Sequence, residues 1–431
     1  MQQLEQAGAF VMALDARRSW FRYHQLFADL LQLELRGSAP AELPALHAAA
    51  AGWYADHGYP VEAVRHAQAA QDWGLAARLL SDHGVGLGLN GLGATAHELL
   101  ARFPAEMIAG DAELAAPIAW HELERGSLEE AERYVVLAAE GLESVPADRR
   151  GRSQVALAVV RLRVARQRGD LPAVAEQAHQ LLDPAGDANP ARLGVGEDLR
   201  ALALISLGVA EVWTARFEEA DRHLGQGIAL AHRIGRPYLE VTGLAHWAQV
   251  GWRSYTLEAQ RSRQAIELAG RHGWAEEPVA GIAYVALGMT MVVQGRLQEA
   301  ERSLEQAERT LRAEVEPAAG MRLRYARGLV DLGSGRPEAA LAAFQAAERL
   351  AGLLVTEHVM ASRLRSHVLQ TLVRLGQTQR AEQILAAMSA QERDSGHMRN
   401  AAGCCATCPP SSPLPRSPTS STSQSTPSRP T

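Results

Sequence analysis

The chain reads as an all-α protein, a long array of stacked helix pairs, and two observations predict this. The first is a phrase that keeps returning: a small residue, any residue, Leu, Phe or Pro, any two residues, then Ala. It stands as Gly126-Ser-Leu128-Glu-Glu-Ala131, Ala215-Arg-Phe217-Glu-Glu-Ala220, Gly295-Arg-Leu297-Gln-Glu-Ala300 and Gly335-Arg-Pro337-Glu-Ala-Ala340. Looser copies end at Val174, Ala259 and Ala381, so the anchors at 131, 174, 220, 259, 300, 340 and 381 are 43, 46, 39, 41, 40 and 41 residues apart. A period of that length marks stacked supersecondary units, and such arrays bind more often than they catalyse. The second observation is composition. The chain is 47% hydrophobic but only 5% aromatic, and Ala, Leu, Glu and Arg dominate, which favours helix over strand.

The register inside each copy identifies the type of pair. Gly208 lies 12 residues before Ala220, and Leu224 and Gly227 lie 4 and 7 after it. The same offsets give Gly288, Ala300, Leu304 and Ala307, then Gly328, Ala340, Phe344 and Ala347. Small, Ala, bulky, small at these positions is the tetratricopeptide pattern, with its usual repeat of roughly 34 residues lengthened in the loops. Chance alignment of Ala-rich helices would not hold seven copies in register. The predicted fold is therefore a tetratricopeptide-like α-superhelix of about seven or eight helix pairs.

The elements follow in order. Phe10 to Leu14 and Trp20 to Tyr23 read as two short strands around a turn, a β-hairpin. His24 to Arg36 is helical, with Leu26, Phe27, Leu30, Leu31 and Leu35 on one side. Residues 1–36 thus look like the end of a small winged-helix unit whose upstream helices are missing. Residues 41–110 form a connecting segment of four helices: Ala41 to His57, Pro60 to Ala70, Trp73 to His83, and a Gly-rich stretch to Phe103. Residues 111–392 are the array. In each unit a helix A precedes the phrase and a helix B begins inside it; the Ala lets the two approach closely. Residues 396–431 hold seven Pro, thirteen Ser/Thr and no acidic residue; such a stretch cannot bury enough apolar surface to fold and is expected to be disordered. Its abrupt start points either to a natural low-complexity tail or to a shifted reading frame.

Composition also excludes chemistry. All 43 basic residues are arginine, so neither a P-loop nor a Schiff-base lysine is available. The net charge of −6 gives no global footprint for nucleic acid. No leader or membrane-spanning run is visible, the three cysteines (Cys404, Cys405, Cys408) all lie in the tail, and a cytoplasmic protein is expected. Gly86-Leu-Gly88-Leu-Asn-Gly91 matches a dinucleotide-loop spacing, but it follows a helix rather than a strand and reads as a loose helix or turn. The tail cysteines lack folded partners for zinc, and His121-Glu122 lacks a second His at zincin spacing. Arg161, Arg163, Arg166 and Arg168 read as a solvated helix face. No catalytic residue, metal site or cofactor site emerges, and the chain is expected not to be an enzyme.

Candidate binding residues come from the register. Trp213 and Trp252 each stand seven residues before an anchor Ala, a position near the concave face of such arrays. Arg322, Tyr325 and Arg363 fall at other concave-side positions. Together they suggest a groove that stacks a small ligand or grips a peptide. The competing reading is that both Trp only fill packing between repeats.

Trp20-Phe-Arg-Tyr-His24-Gln-Leu-Phe27, preceded by Leu14-Asp15 and followed by Ala28-Asp-Leu-Leu31, resembles the segment that closes the winged-helix part in the large ATP-binding LuxR-type regulators, the family of the maltose regulon activator. Ala50, Trp53-Tyr54, His57-Gly58, Glu62-Ala63, His66-Ala67, Asp72-Trp73 and Ala76-Ala77 extend the likeness, which runs on through the array to about residue 392. The resemblance implies an N-terminal ATPase, a superhelix receiving a small-molecule inducer or a regulatory protein, self-association through the ATPase, and a C-terminal helix-turn-helix for promoter DNA. This sequence departs from it at both ends: no P-loop is present, so ATP is expected only for a missing N-terminal module, and Ser/Pro/Thr sequence stands where the DNA-binding domain would be. Two readings stay open. One is the sensor region of such a regulator. The other is a stand-alone tetratricopeptide scaffold for protein partners. No membrane contact is expected in either.

Overall fold

The computed structural model describes residues 10–13, 21–108, 110–182 and 196–394. The tail expected to be disordered lies outside these residues. The chain divides into two units, Met1–Leu375 and Gly376–Thr431. The second unit contributes one described helix, Thr378–Asp394.

Two short strands, β1 (Val11–Ala13) and β2 (Phe21–Tyr23), pair antiparallel with Val11 opposite Tyr23, the hairpin read from the sequence. Helix α1 (Gln25–Ser38) follows, and Phe27 packs its ring on Phe10 and Tyr23 at 5.2 and 5.5 Å. Next come α2 (Leu43–Asp56), α3 (Pro60–Ala69), α4 (Trp73–Leu89), α5 (Gly93–Leu100) and the single turn α6 (Ala105–Ile108). Their core holds Ala51, Ala63, Val64, Leu80, Leu99 and Leu114. α4 runs six residues beyond its expected end at His83, through the glycine run, and stops at Asn90 and Gly91, whose φ of +73° ends the helix.

From residue 112 the helices alternate as the register requires. The pairs are α7 (Ala112–Arg125) with α8 (Leu128–Glu140), α9 (Ala147–Arg168) with α10 (Leu171–Leu182), and α11 (Gly196–Trp213) with α12 (Phe217–Arg233). They continue as α13 (Pro237–Trp247) with α14 (Tyr255–Arg271), α15 (Pro278–Val293) with α16 (Leu297–Thr310), and α17 (Pro317–Gly333) with α18 (Pro337–Ala351), before α19 (Ala361–Arg374). In five of these pairs the turn is made by the small residue of the phrase; in α13–α14 the 3-10 turn Ala248–Arg253 makes it and Ser254 caps the second helix. Gly126, Gly169, Gly295 and Gly335 take positive φ (86°, 65°, 74° and 74°), where a Cβ would be strained. Ala215 does the same job at φ 61° without that freedom. The anchors Ala131, Val174, Ala220, Ala259, Ala300 and Ala340 are all buried.

In the units anchored at Ala220, Ala300 and Ala340, the glycine twelve residues before the anchor is where helix A meets the bulky residue of helix B. A Cβ on Gly208, Gly288 or Gly328 would sit 2.5, 2.7 or 2.4 Å from Leu224, Leu304 or Phe344. Glycine is thus what allows each close crossing.

The A helices α4, α7, α9, α11, α13, α15 and α17 touch one another in succession and form an inner layer. α15, apolar nearly all round, is buried accordingly. This layer then closes on itself, which the repeat phrase alone did not indicate. α9 also touches α17, about 150 residues later in sequence. The C-terminal carbonyls of α9 and α11, left without helical partners, are taken by a remote loop. The Val355 N–H donates to the Arg168 carbonyl (2.9 Å), Thr356 N–H to Gly169 (3.0 Å) and Val359 N–H to Trp213 (2.9 Å). The Gln167 amide donates to the Val315 carbonyl from the other side.

Candidate functional site

The closed inner layer leaves a cavity of about 430 Å3, within the size range of small-molecule sites. Its walls follow from helical spacing. Tyr238, Thr242, His246 and Gln249 line it at steps of four, four and three along α13 and the turn after it. Arg163, Arg166 and Gln167 contribute from α9, Ser206 and Trp213 from α11, Ile282 from α15 and Arg322 from α17. The exposed side chains of Glu276, Glu277, Arg309 and Arg312 lie at its rim.

The glycine run forms the far wall. Gly88, Gly91 and Gly93 line the cavity. A Cβ on Gly88 would fall 2.4 Å from the Trp120 ring, one on Gly91 2.7 Å from Tyr238, and one on Gly93 2.4 Å from the Glu124 carboxylate. These glycines serve close approach, in a helix and the turn after it, as the absence of a preceding strand implied. Trp120 donates its indole N–H to Glu124 (2.8 Å) and carries the Arg163 guanidinium over its ring at 4.1 Å. Tyr238 packs edge-on against Trp274.

The deep end is electropositive. Arg322 is buried, Arg166 is half-buried and faces the cavity, and burial lowers the pKa of both guanidinium groups. The carboxylates whose fields act on them are Glu316 and Glu258 respectively, yet among the described residues neither arginine has an ion pair within 4.0 Å. Glu258 is instead bonded by the Thr290 hydroxyl at 3.0 Å, and burial pushes its carboxyl up. Arg322 reaches the Met360 sulfur at 3.5 Å, while its Nε has no partner. His246 lies in the fields of both arginines; burial first, and then those two charges, hold its pKa down to about 3. Neither of its ring nitrogens is hydrogen-bonded, nor is Oε1 of Gln249. His358, packed on Trp213 at 5.8 Å between ring centroids, is likewise depressed to about 3 by burial and then by Arg322. Burial pushes the Tyr238 hydroxyl up to about 12. Buried polar atoms without partners are uncommon because each costs the desolvation that a partner would offset. Here several share one cavity.

The structure distributes the five sequence candidates as follows. Trp213 and Arg322 come together in the cavity. Tyr325 is buried away from it, against Phe344 and His367, with its hydroxyl 3.3 Å from His367 Nδ1. Arg363 is exposed on α19, its charge acting on Tyr325. Trp252 lies in the 3-10 turn Ala248–Arg253, and its side chain is outside the described residues. The arginine run of α9 divides. Arg161 is exposed and Arg168 pairs with Glu132, whereas Arg163 and Arg166, three apart on one face, turn inward. The solvated-face reading therefore fails for half of the run, because the closure puts that face inside. His246 and Gln249 carried no motif and were not anticipated; the step of three or four from Tyr238 to Gln249 was their one signal. Among the described residues no group of three His, Cys, Asp or Glu is placed to hold a metal ion, and no helix is long and apolar enough to cross a membrane.

Comparisons with known proteins locate this fold. Residues 1–43 match the model of the MalT winged helix domain. The HTH-type transcriptional regulators MalT of Yersinia pestis (strain Pestoides F) and of Yersinia enterocolitica are each 37% identical over 121 residues, 28% of this chain and 13% of theirs. The match thus spans little more than a tenth of those relatives. Among solved structures, a Rap protein complexed with competence and sporulation factor superposes with a TM-score of 0.55 at 14% identity, covering 84% of this chain and 100% of that one; at that identity it speaks for the helical-repeat fold alone. The chain therefore resembles the MalT-type, LuxR-class transcriptional regulators in its winged-helix segment, and a tetratricopeptide-like helical region follows that segment.

Proposed function

We propose that this chain is the sensor region of a MalT-like transcriptional regulator, that it binds rather than catalyses, and that its inducer is a small molecule held in the inner cavity. The observation that carries this reading is the cavity itself: about 430 Å3, walled by Trp213, Tyr238 and Trp120, and holding buried polar atoms on His246, Gln249 and Arg322 that have no protein partner. Binding there touches α9, α11, α13, α15 and α17 at once, so a ligand favours the closed arrangement of helices far apart in sequence and shifts its population. Any ATPase or promoter-binding activity belongs to modules of the regulator beyond this region, and the protein works in the cytoplasm.

The test is a thermal-shift screen of the full chain against sugars, sugar phosphates, carboxylic acids and amino acids, in parallel with Ala319→Trp, which fills the cavity from its half-buried wall. A compound that stabilises the wild type but not the filled variant supports the sensor reading. A chain that ignores every compound yet binds a protein partner equally well in both forms is a tetratricopeptide scaffold.

A further inference from the structure

Resting on the sensor reading, we propose that the ligand is a small organic anion, a carboxylate or a phosphate ester, whose charged oxygens are taken by Arg166 and Arg322 at the deep end of the cavity. Two guanidinium groups converge there from helices α9 and α17, and the same side chain, His246, feels both charges. A buried charge is normally paired, because leaving water costs more than packing returns. Among the described residues neither arginine has a carboxylate in contact. Glu258, which faces Arg322, is occupied by Thr290; Glu124, on the opposite wall, is occupied by the Trp120 indole. Glu316, which lines the cavity and whose field acts on Arg166, likewise stands beyond ion-pair distance, so both guanidinium groups keep donors free for an incoming anion.

Guanidinium groups present planar forks of N–H donors that match the oxygens of a carboxylate or phosphate. The free Nε of Arg322 is one such donor. Beside it, His246 offers one donor and one acceptor and Gln249 Oε1 a further acceptor, which suits hydroxyl or amide groups on the rest of the molecule. Trp213 and Tyr238 also line the cavity, so the body of the ligand is organic. An inorganic ion would leave that part of the cavity empty.

The experiment measures affinity of the full chain, by calorimetry, for matched pairs that differ in one charge: a sugar and its phosphate, a carboxylic acid and its amide. Anionic members are expected to bind and their neutral counterparts to bind at least tenfold more weakly. Arg166→Gln and Arg322→Gln should each weaken the anion by about 10- to 100-fold, the loss of one charge-assisted hydrogen bond. A second readout separates binding from structure. A guanidinium that only held the fold would lower the melting temperature of the ligand-free chain when removed. One kept for a ligand leaves that temperature unchanged or raises it, since a desolvated charge has gone. If either variant fails to fold, the matched pairs on the wild type still decide. A neutral compound that binds as well as its anion, unaffected by Arg166→Gln, overturns the anion inference and leaves the sensor reading standing. No binding by any member, with Ala319→Trp indistinguishable from the wild type, removes both.

Discussion

At the scale of single residues, two buried histidines tie structure to pH. His246 and His358 are buried and held neutral, with pKa values near 3, against about 6.5 for an unfolded histidine. The unfolded chain therefore binds the extra protons, and stability contributed by these neutral side chains is present above about pH 6.5 and lost as pH falls toward 3. At pH 5 each histidine accounts for a loss of about 2 kcal/mol. His246→Gln, neutral at every pH, should lose less stability than the wild type between pH 7.5 and 5 in urea titrations. Parallel curves for the two proteins would refute the assignment.

At the scale of the helix pair, the glycine of helix A is a contact residue and not a flexible joint. Gly328→Ala places a methyl group 2.4 Å from the fully buried Phe344 ring, and overpacking of this kind costs about 1–3 kcal/mol. Gly86→Ala is the matched control. It lies inside α4 with nothing within 4 Å of a Cβ, so the better helix former should gain about 0.5–1 kcal/mol. Opposite signs in thermal denaturation are expected; a neutral Gly328→Ala would mean that the crossing has room to spare. This register was legible in sequence because it depends only on neighbours within one repeat. The offset from Gly328 through Ala340 to Phe344 is a local pattern with a local cause.

At the scale of the whole first unit, the closure of the inner layer decides both stability and site. An open array loses its repeats piecemeal, since each contacts only its neighbours. Here the loop 352–360 caps α9 and α11, and Leu354 packs on Gly169, so the array is stitched across its length. Urea unfolding followed by far-UV circular dichroism and by tryptophan fluorescence should trace one coincident transition. Leu354→Asp, which puts a charge against that seam, should separate the two probes; coincidence in the variant would show that the seam contributes little. This closure was not legible in the sequence. It arises from small rotations summed over successive pairs, and no single repeat records the sum. For the same reason Arg166 looked like part of a solvated face and His246 like one scattered histidine among 15. Periodicity identifies which residues point inward. It does not say whether an inward residue meets another helix, as Tyr325 meets Phe344, or an enclosed space, as Arg322 does.

The most direct test of a ligand-binding cavity is hydrogen exchange of the full chain, with and without the compound that stabilises it most in the thermal-shift screen. Exchange should slow together in 163–169, 238–249 and 317–322, segments far apart in sequence that share the cavity wall. Slowing confined to the outer helices α8, α10 and α12, or no slowing with any compound tested, would contradict it.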